Sequence, residues 1–91
     1  TDISKPLSSL STLNIYPNPS DGFFVVNAEW NQAQPVELKV YDMNGRKMYR
    51  QQVAPATSWS ESLDLRHLSR GVYLLQVNSP EGSTVRRLVI N

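Results

Sequence analysis

The chain has no cysteine in 91 residues. That excludes a disulfide scaffold and any zinc site built on thiolates, and leaves the compartment open. Histidine occurs once, as His67. A metal site there needs carboxylates from elsewhere, and the nearest in sequence, Asp64, sits on the adjoining predicted strand, so an exposed histidine is the expectation. No apolar run approaches the ~20 residues of a membrane helix, and none is expected to insert in a membrane. The opening TDISKPLSS lacks the apolar core of a signal peptide, so an export address is expected on a longer parent chain. A net charge of +1 removes general attraction to nucleic acid. The four glycines are scattered, each beside a turn, and form no phosphate loop. There is no G-x-S-x-G elbow to strain a serine into a nucleophile, and no carboxylate pair for acid–base work. Asp21, in NPSDG, lacks the alternating acidic partners of a calcium loop and reads as a turn residue. No catalytic residue, metal or cofactor is expected.

What is present is a succession of short alternating apolar runs separated by turn residues, the pattern of an all-β domain. The length suits one domain with one core. Residues 1–11, rich in serine, read as a linker, and residues 12–91 as the folded domain. Within the latter, TLNIY, FFVVNAEW, VELKVYD, RKMYRQQV, WSESLDL, GVYLLQVN and TVRRLVIN read as strands. PNPSDG, NQAQP, MNG, APATS, RHLSR and SPEGS read as connections, with a tight hairpin at Asn44-Gly45 and one helical turn at RHLSR. About seven strands around a central apolar one predict an antiparallel immunoglobulin-like sandwich. In that architecture LRHLSRGVYLLQV is a corner. Leu68 plugs the core, Gly71 permits a tight passage or a positive φ, and the Tyr73 hydroxyl bonds back to the backbone. The plainer alternative is that Tyr73 is an ordinary strand aromatic. Val36, Leu38, Val40, Leu63, Leu65, Tyr73, Leu75 and Val77 are expected in the core.

Charge is unevenly placed. Residues 1–45 carry two basic and five acidic side chains, residues 46–91 seven and three. Random placement in a short chain explains this as well as a functional asymmetry does. Trp30, Trp59, Tyr41 and Tyr49 make a sugar platform conceivable only if several are exposed and coplanar; packing is the better expectation. The last strand is two-faced. Val85, Arg87 and Val89 line one side and Arg86, Leu88 and Ile90 the other, so an apolar pair stays outside whichever is buried. Two readings remain open: a docking surface, or a face covered by other parts of the protein.

Four stretches together resemble the C-terminal sorting domain of type IX secretion cargo in Bacteroidetes, in its commoner type A form. They are LNIYPNPSDGFFVV, VELKVYDMNGRKMY, LDLRHLSRGVYLLQV and EGSTVRRLVIN. The motif positions are Tyr16, Pro17, Asn18, Pro19 and Gly22; Asp42, Gly45 and Arg46; Leu68, Gly71 and Tyr73. The ending runs from Gly82 and Thr84 through Arg86, Arg87, Leu88, Val89, Ile90 and Asn91. Family members often finish on lysine or arginine, whereas this chain finishes on Asn91. The resemblance implies a secretion signal rather than an enzyme, recognised by the outer-membrane translocon through the residues from Gly82 to Asn91. It implies a cargo that passes through the periplasm to the cell surface or the medium. It also implies a sortase-like peptidase cutting within residues 1–11, and a domain acting as a monomer. An accessory sandwich of a secreted enzyme, carbohydrate-binding or a spacer, is the alternative.

Overall fold

Alternation of apolar and polar side chains sets the strands. In the computed structural model, which describes residues 9–91, five strands follow one another. They are β1 (Leu10–Tyr16), β2 (Phe23–Tyr41), β3 (Lys47–Asp64), β4 (Gly71–Ser79) and β5 (Gly82–Ile90). All pairings are antiparallel, in the order β1-β2-β4-β5, with β3 on β2. The all-β, antiparallel expectation holds. The count of seven does not, because predicted strands two and three are one strand, β2, and four and five are one strand, β3.

The reason lies in pairing. NQAQP and APATS, expected to turn the chain, lie opposite each other in one ribbon, where Gln34 partners Ala56. That pairing carries the ladder across the bend, so neither segment reverses direction. They bend the ribbon instead, with register shifts between Glu29 and Gln34 and between Gln34 and Val36. Even-numbered residues face inward on both sides of the bend: Phe24, Val26, Ala28 and Trp30, then Val36, Leu38 and Val40. The first half of β2 carries β1 and the end of β3; the second half carries the start of β3 and β4. The sheet thus curls on itself over one core, to which Val53, Leu63, Leu65, Tyr73, Leu75, Val77, Leu88 and Ile90 contribute. Every residue expected in the core is buried. Burying a Leu, Val or Phe side chain is worth about 1.5–3 kcal/mol, so this cluster is the main source of stability.

At the N-terminal end, Leu10 and Ser11, read in the sequence as the end of the linker, belong to β1. Ser9 is buried, accepts a bond from the Asn31 N–H at 2.6 Å, and donates to Glu81 through its backbone N–H (2.8 Å) and hydroxyl (3.0 Å). The rest of the expected linker, residues 1–8, lies outside the described residues.

Candidate docking surface

The corner forms as expected. Tyr73, 7% exposed, donates its hydroxyl to the Ser69 carbonyl at 2.8 Å. Leu68 packs half-buried on the core, and the RHLSR connection is a turn closed by the Leu68 N–H on the Leu65 carbonyl at 3.0 Å. Gly71 has φ 151°, while an added Cβ there meets nothing within 4 Å among the described residues. Glycine is therefore needed for its dihedral and not for space.

The MNG hairpin is wider than a two-residue turn. Asn44 keeps negative φ and only Gly45 is positive, at 87°. Asp42 closes the loop. Its Oδ1 accepts the Asn44 and Arg46 N–H groups, both at 2.9 Å, and its Oδ2 accepts Arg46 Nε at 2.8 Å. These donors, the Arg46 N–H foremost, hold the carboxyl below its usual range. Asp42, Gly45 and Arg46 thus build a turn.

The Tyr16–Gly22 arch reaches the far end of the sequence. Asn18 Nδ2 donates to the Arg87 carbonyl at 2.8 Å, and the Val89 N–H donates to Asn18 Oδ1 at 3.0 Å. Ser20 continues the pattern with its backbone: its N–H donates to the Val89 carbonyl (3.0 Å) and its carbonyl accepts the Asn91 N–H (2.8 Å). Its buried hydroxyl accepts the Gly22 N–H and donates to the Phe23 carbonyl. One side-chain amide and one residue of backbone therefore replace a neighbouring strand along the end of β5. Tyr16, Pro17 and Pro19 are exposed around them. Gly22 passes so close to the corner that an added Cβ would lie 2.9 Å from the Arg66 Cα, and its φ is 119°. Arg66 in turn pairs with Asp64 (Nη2 to Oδ2, 2.8 Å) and lies over the Phe23 ring, 5.6 Å from its centroid.

β5 resolves its two faces. Leu88 and Ile90 are buried; Val85, 48% exposed, Arg87 and the half-buried Val89 face out. Arg86, on the core-side phase but at the rim, is also exposed and, among the described residues, bonds only its own strand, at Thr84 Oγ1 (2.8 Å) and the Val85 carbonyl (3.2 Å). Gly82 and Thr84 are half-buried, and Asn91 is exposed. Of the predicted recognition residues, Leu88 and Ile90 are thus core residues, and the surface belongs to the others.

Register extends that surface across the sheet. Lys47 lies opposite Tyr41, Tyr41 opposite Leu74, and Leu74 opposite Arg87, one row on the outer face. A shallow cleft of about 380 Å³ runs between the hairpin and β5, lined by Tyr41, Met43, Leu74 and Val85 among others. Met43 is 65% exposed. Among the described residues, ion pairs engage Lys39, Arg46, Arg50 and Arg66, and none engages Lys47, Arg70, Arg86 or Arg87. The cleft is apolar in the middle and has the Asp42 carboxylate in its lining, while Lys47 and Arg87 lie beyond it at the two ends of the Tyr41–Leu74 row. Sequence reading left open which face of β5 is buried; Tyr41, Leu74 and Met43 were missed as neighbours of Val85, because strand register brings them there.

A second cleft, about 590 Å³, lies at the opposite end, lined by Pro35, Pro55 and Pro80 and by the Glu37–Arg50 ion pair. Arg50, more than any other group, lowers the Glu37 pKa. Among the described residues no group of His, Cys, Asp and Glu is arranged to hold a metal. His67 is exposed, and Asp21 serves a turn by accepting the Phe23 N–H. Trp30 is 4% exposed and offers no sugar platform; Trp59 is half-buried against the core with its indole N–H buried.

A family model described as Secretion system C-terminal sorting domain matches residues 14–91. Beta-agarase D of Zobellia galactanivorans is 27% identical over 78 residues, a stretch covering 86% of this chain and 14% of the agarase. The chain thus spans a small part of that relative's length.

Proposed function

Because the chain belongs to the family of secretion system C-terminal sorting domains, we propose that it works as a signal read by the type IX outer-membrane translocon. It directs an attached cargo from the periplasm to the cell surface or the medium, and acts by being bound, as a monomer. The observation carrying this reading is convergence. The Tyr16–Gly22 arch, the Asp42–Arg46 hairpin and the Leu68–Tyr73 corner, far apart in sequence, gather at the Arg87–Asn91 end of β5. The reader is proposed to meet Arg86, Arg87, Val89 and Asn91 together with Val85 and Leu74. The curled sheet with its tyrosine corner supports an immunoglobulin-like relation of the two halves. A sortase-like peptidase is proposed to cut within residues 1–11, the serine-rich stretch at the start of the chain. The agarase relative supports a secreted enzyme as the kind of cargo carried. Burial of Trp30 weighs against a carbohydrate-binding module.

The test is export of a periplasmic reporter fused to the whole chain. The expected result is reporter at the surface or in the medium of a host with an intact type IX system, and periplasmic retention in a strain lacking the translocon. Equal location in both strains contradicts the reading. A glycan array checks the alternative module, and no binding is expected.

A further inference from the structure

Half of the outer edge of β5 is taken and half is open. Val89 and the Arg87 carbonyl point away from β4, since the Tyr16–Ser20 arch bonds them. Alternation along the strand makes the N–H of Arg87, and both backbone groups of Val85 and Ser83, point the same way. Among the described residues the only hydrogen bond to these groups comes from Arg86, whose guanidinium folds back onto the Val85 carbonyl at 3.2 Å. Asn18 ends the free stretch by occupying the next carbonyl, that of Arg87.

Resting on the sorting-signal reading, we infer that the open stretch from Ser83 to Arg87 takes an added β-strand from an acidic segment of the secretion machinery. The backbone supplies the ladder and the flanking side chains supply the selection. Arg86 and Arg87 point to opposite faces of the edge and have no carboxylate partner among the described residues. A strand laid beside them with carboxylates on both faces neutralises both. Lys47, at the far end of the Tyr41–Leu74 row, adds attraction of the same sign. An apolar side chain of the incoming strand beside Val85 also covers the cleft shared with Met43 and Leu74. The other long edge, β3, is the poorer template: it is bent, it contains Pro55, and the Gln51–Glu61 hydrogen bond braces its two arms. Asn18 then acts as an end stop that sets the register of the added strand.

Reporter export with backbone and charge variants tests this. Val85→Pro removes an outward N–H while leaving the ladder to β4, so the domain keeps its fold. Export is expected to fall about tenfold, as for one lost docking hydrogen bond and a blocked neighbour. Val85→Ala, which keeps the N–H, is expected to lose less. Arg86→Glu with Arg87→Glu is expected to lose more export than the two glutamine replacements, at an unchanged melting temperature. This second pair decides the matter if Val85→Pro does not fold. Equal losses for Val85→Pro and Val85→Ala in folded proteins overturn strand addition, and reversal no worse than neutralisation overturns the acidic partner, while the sorting reading stands in both cases. A wild-type fusion that is not exported overturns the sorting reading and this inference with it.

Discussion

Tyr73 and Gly22 show how single residues hold the corner. Tyr73→Phe removes the bond to the Ser69 carbonyl and is expected to cost about 0.5–1.5 kcal/mol in denaturant unfolding, rising toward ~3 if the carbonyl stays buried without a partner. Unchanged stability contradicts the corner. Gly22→Ala meets both a positive φ and the Arg66 backbone, whereas Gly71→Ala meets only the φ. The first is expected to destabilise more, by about 1–3 kcal/mol, and an equal loss in the two variants contradicts the close approach. Tyr73 was legible in the sequence because its spacing from Leu68 and the following apolar run are local features. Asn18 was not. In the sequence it is a turn residue between prolines, and its partners lie about 70 positions away. Nothing local distinguishes an amide that solvates itself from one that completes a ladder.

Strand identity was legible from alternation, while strand continuity was not. Asn31–Pro35 and Ala54–Ser58 have loop composition, and only their mutual pairing makes them the bend of a ribbon. The arch is the converse case, a loop that does a strand's work. Asn18→Ala is expected to cost about 1 kcal/mol and to speed hydrogen exchange at the Val89 N–H selectively, as measured by NMR. Unchanged Val89 protection contradicts the arch as an edge partner. The end of β3 is pH-sensitive. The Arg66 guanidinium holds the Asp64 pKa at about 2, below its ordinary 3.8. A carboxylate depressed in the folded state adds stability above its unfolded pKa and loses it as pH falls through the folded one. Between about pH 4 and pH 2, Asp64→Asn is expected to flatten the loss of stability followed by thermal melts; Asp42 and Glu37, shifted in the same direction, retain the remainder.

For the molecule as a whole, the family pattern is largely a pattern of fold. Asp42, Gly45, Leu68, Gly71, Tyr73, Asn18 and Gly22 build turns, the corner and the arch, and their combined result is to fix one end of β5. The residues proposed to meet a partner are few: Arg86, Arg87, Val85, Val89, Asn91 and the neighbours that register supplies. The candidate surface was legible as a two-faced terminal strand, but which face is solvent-exposed, and what lies beside it, depends on the curl of the sheet. The most direct measurement is export of a reporter carrying Arg86→Gln and Arg87→Gln together, paired with its melting temperature. Both side chains are exposed and without ion pairs among the described residues, so a melting temperature close to wild type is predicted. Export is predicted to fall clearly below wild type. A double variant that melts as wild type and exports its reporter at the wild-type rate contradicts recognition through the arginine-bearing face of β5.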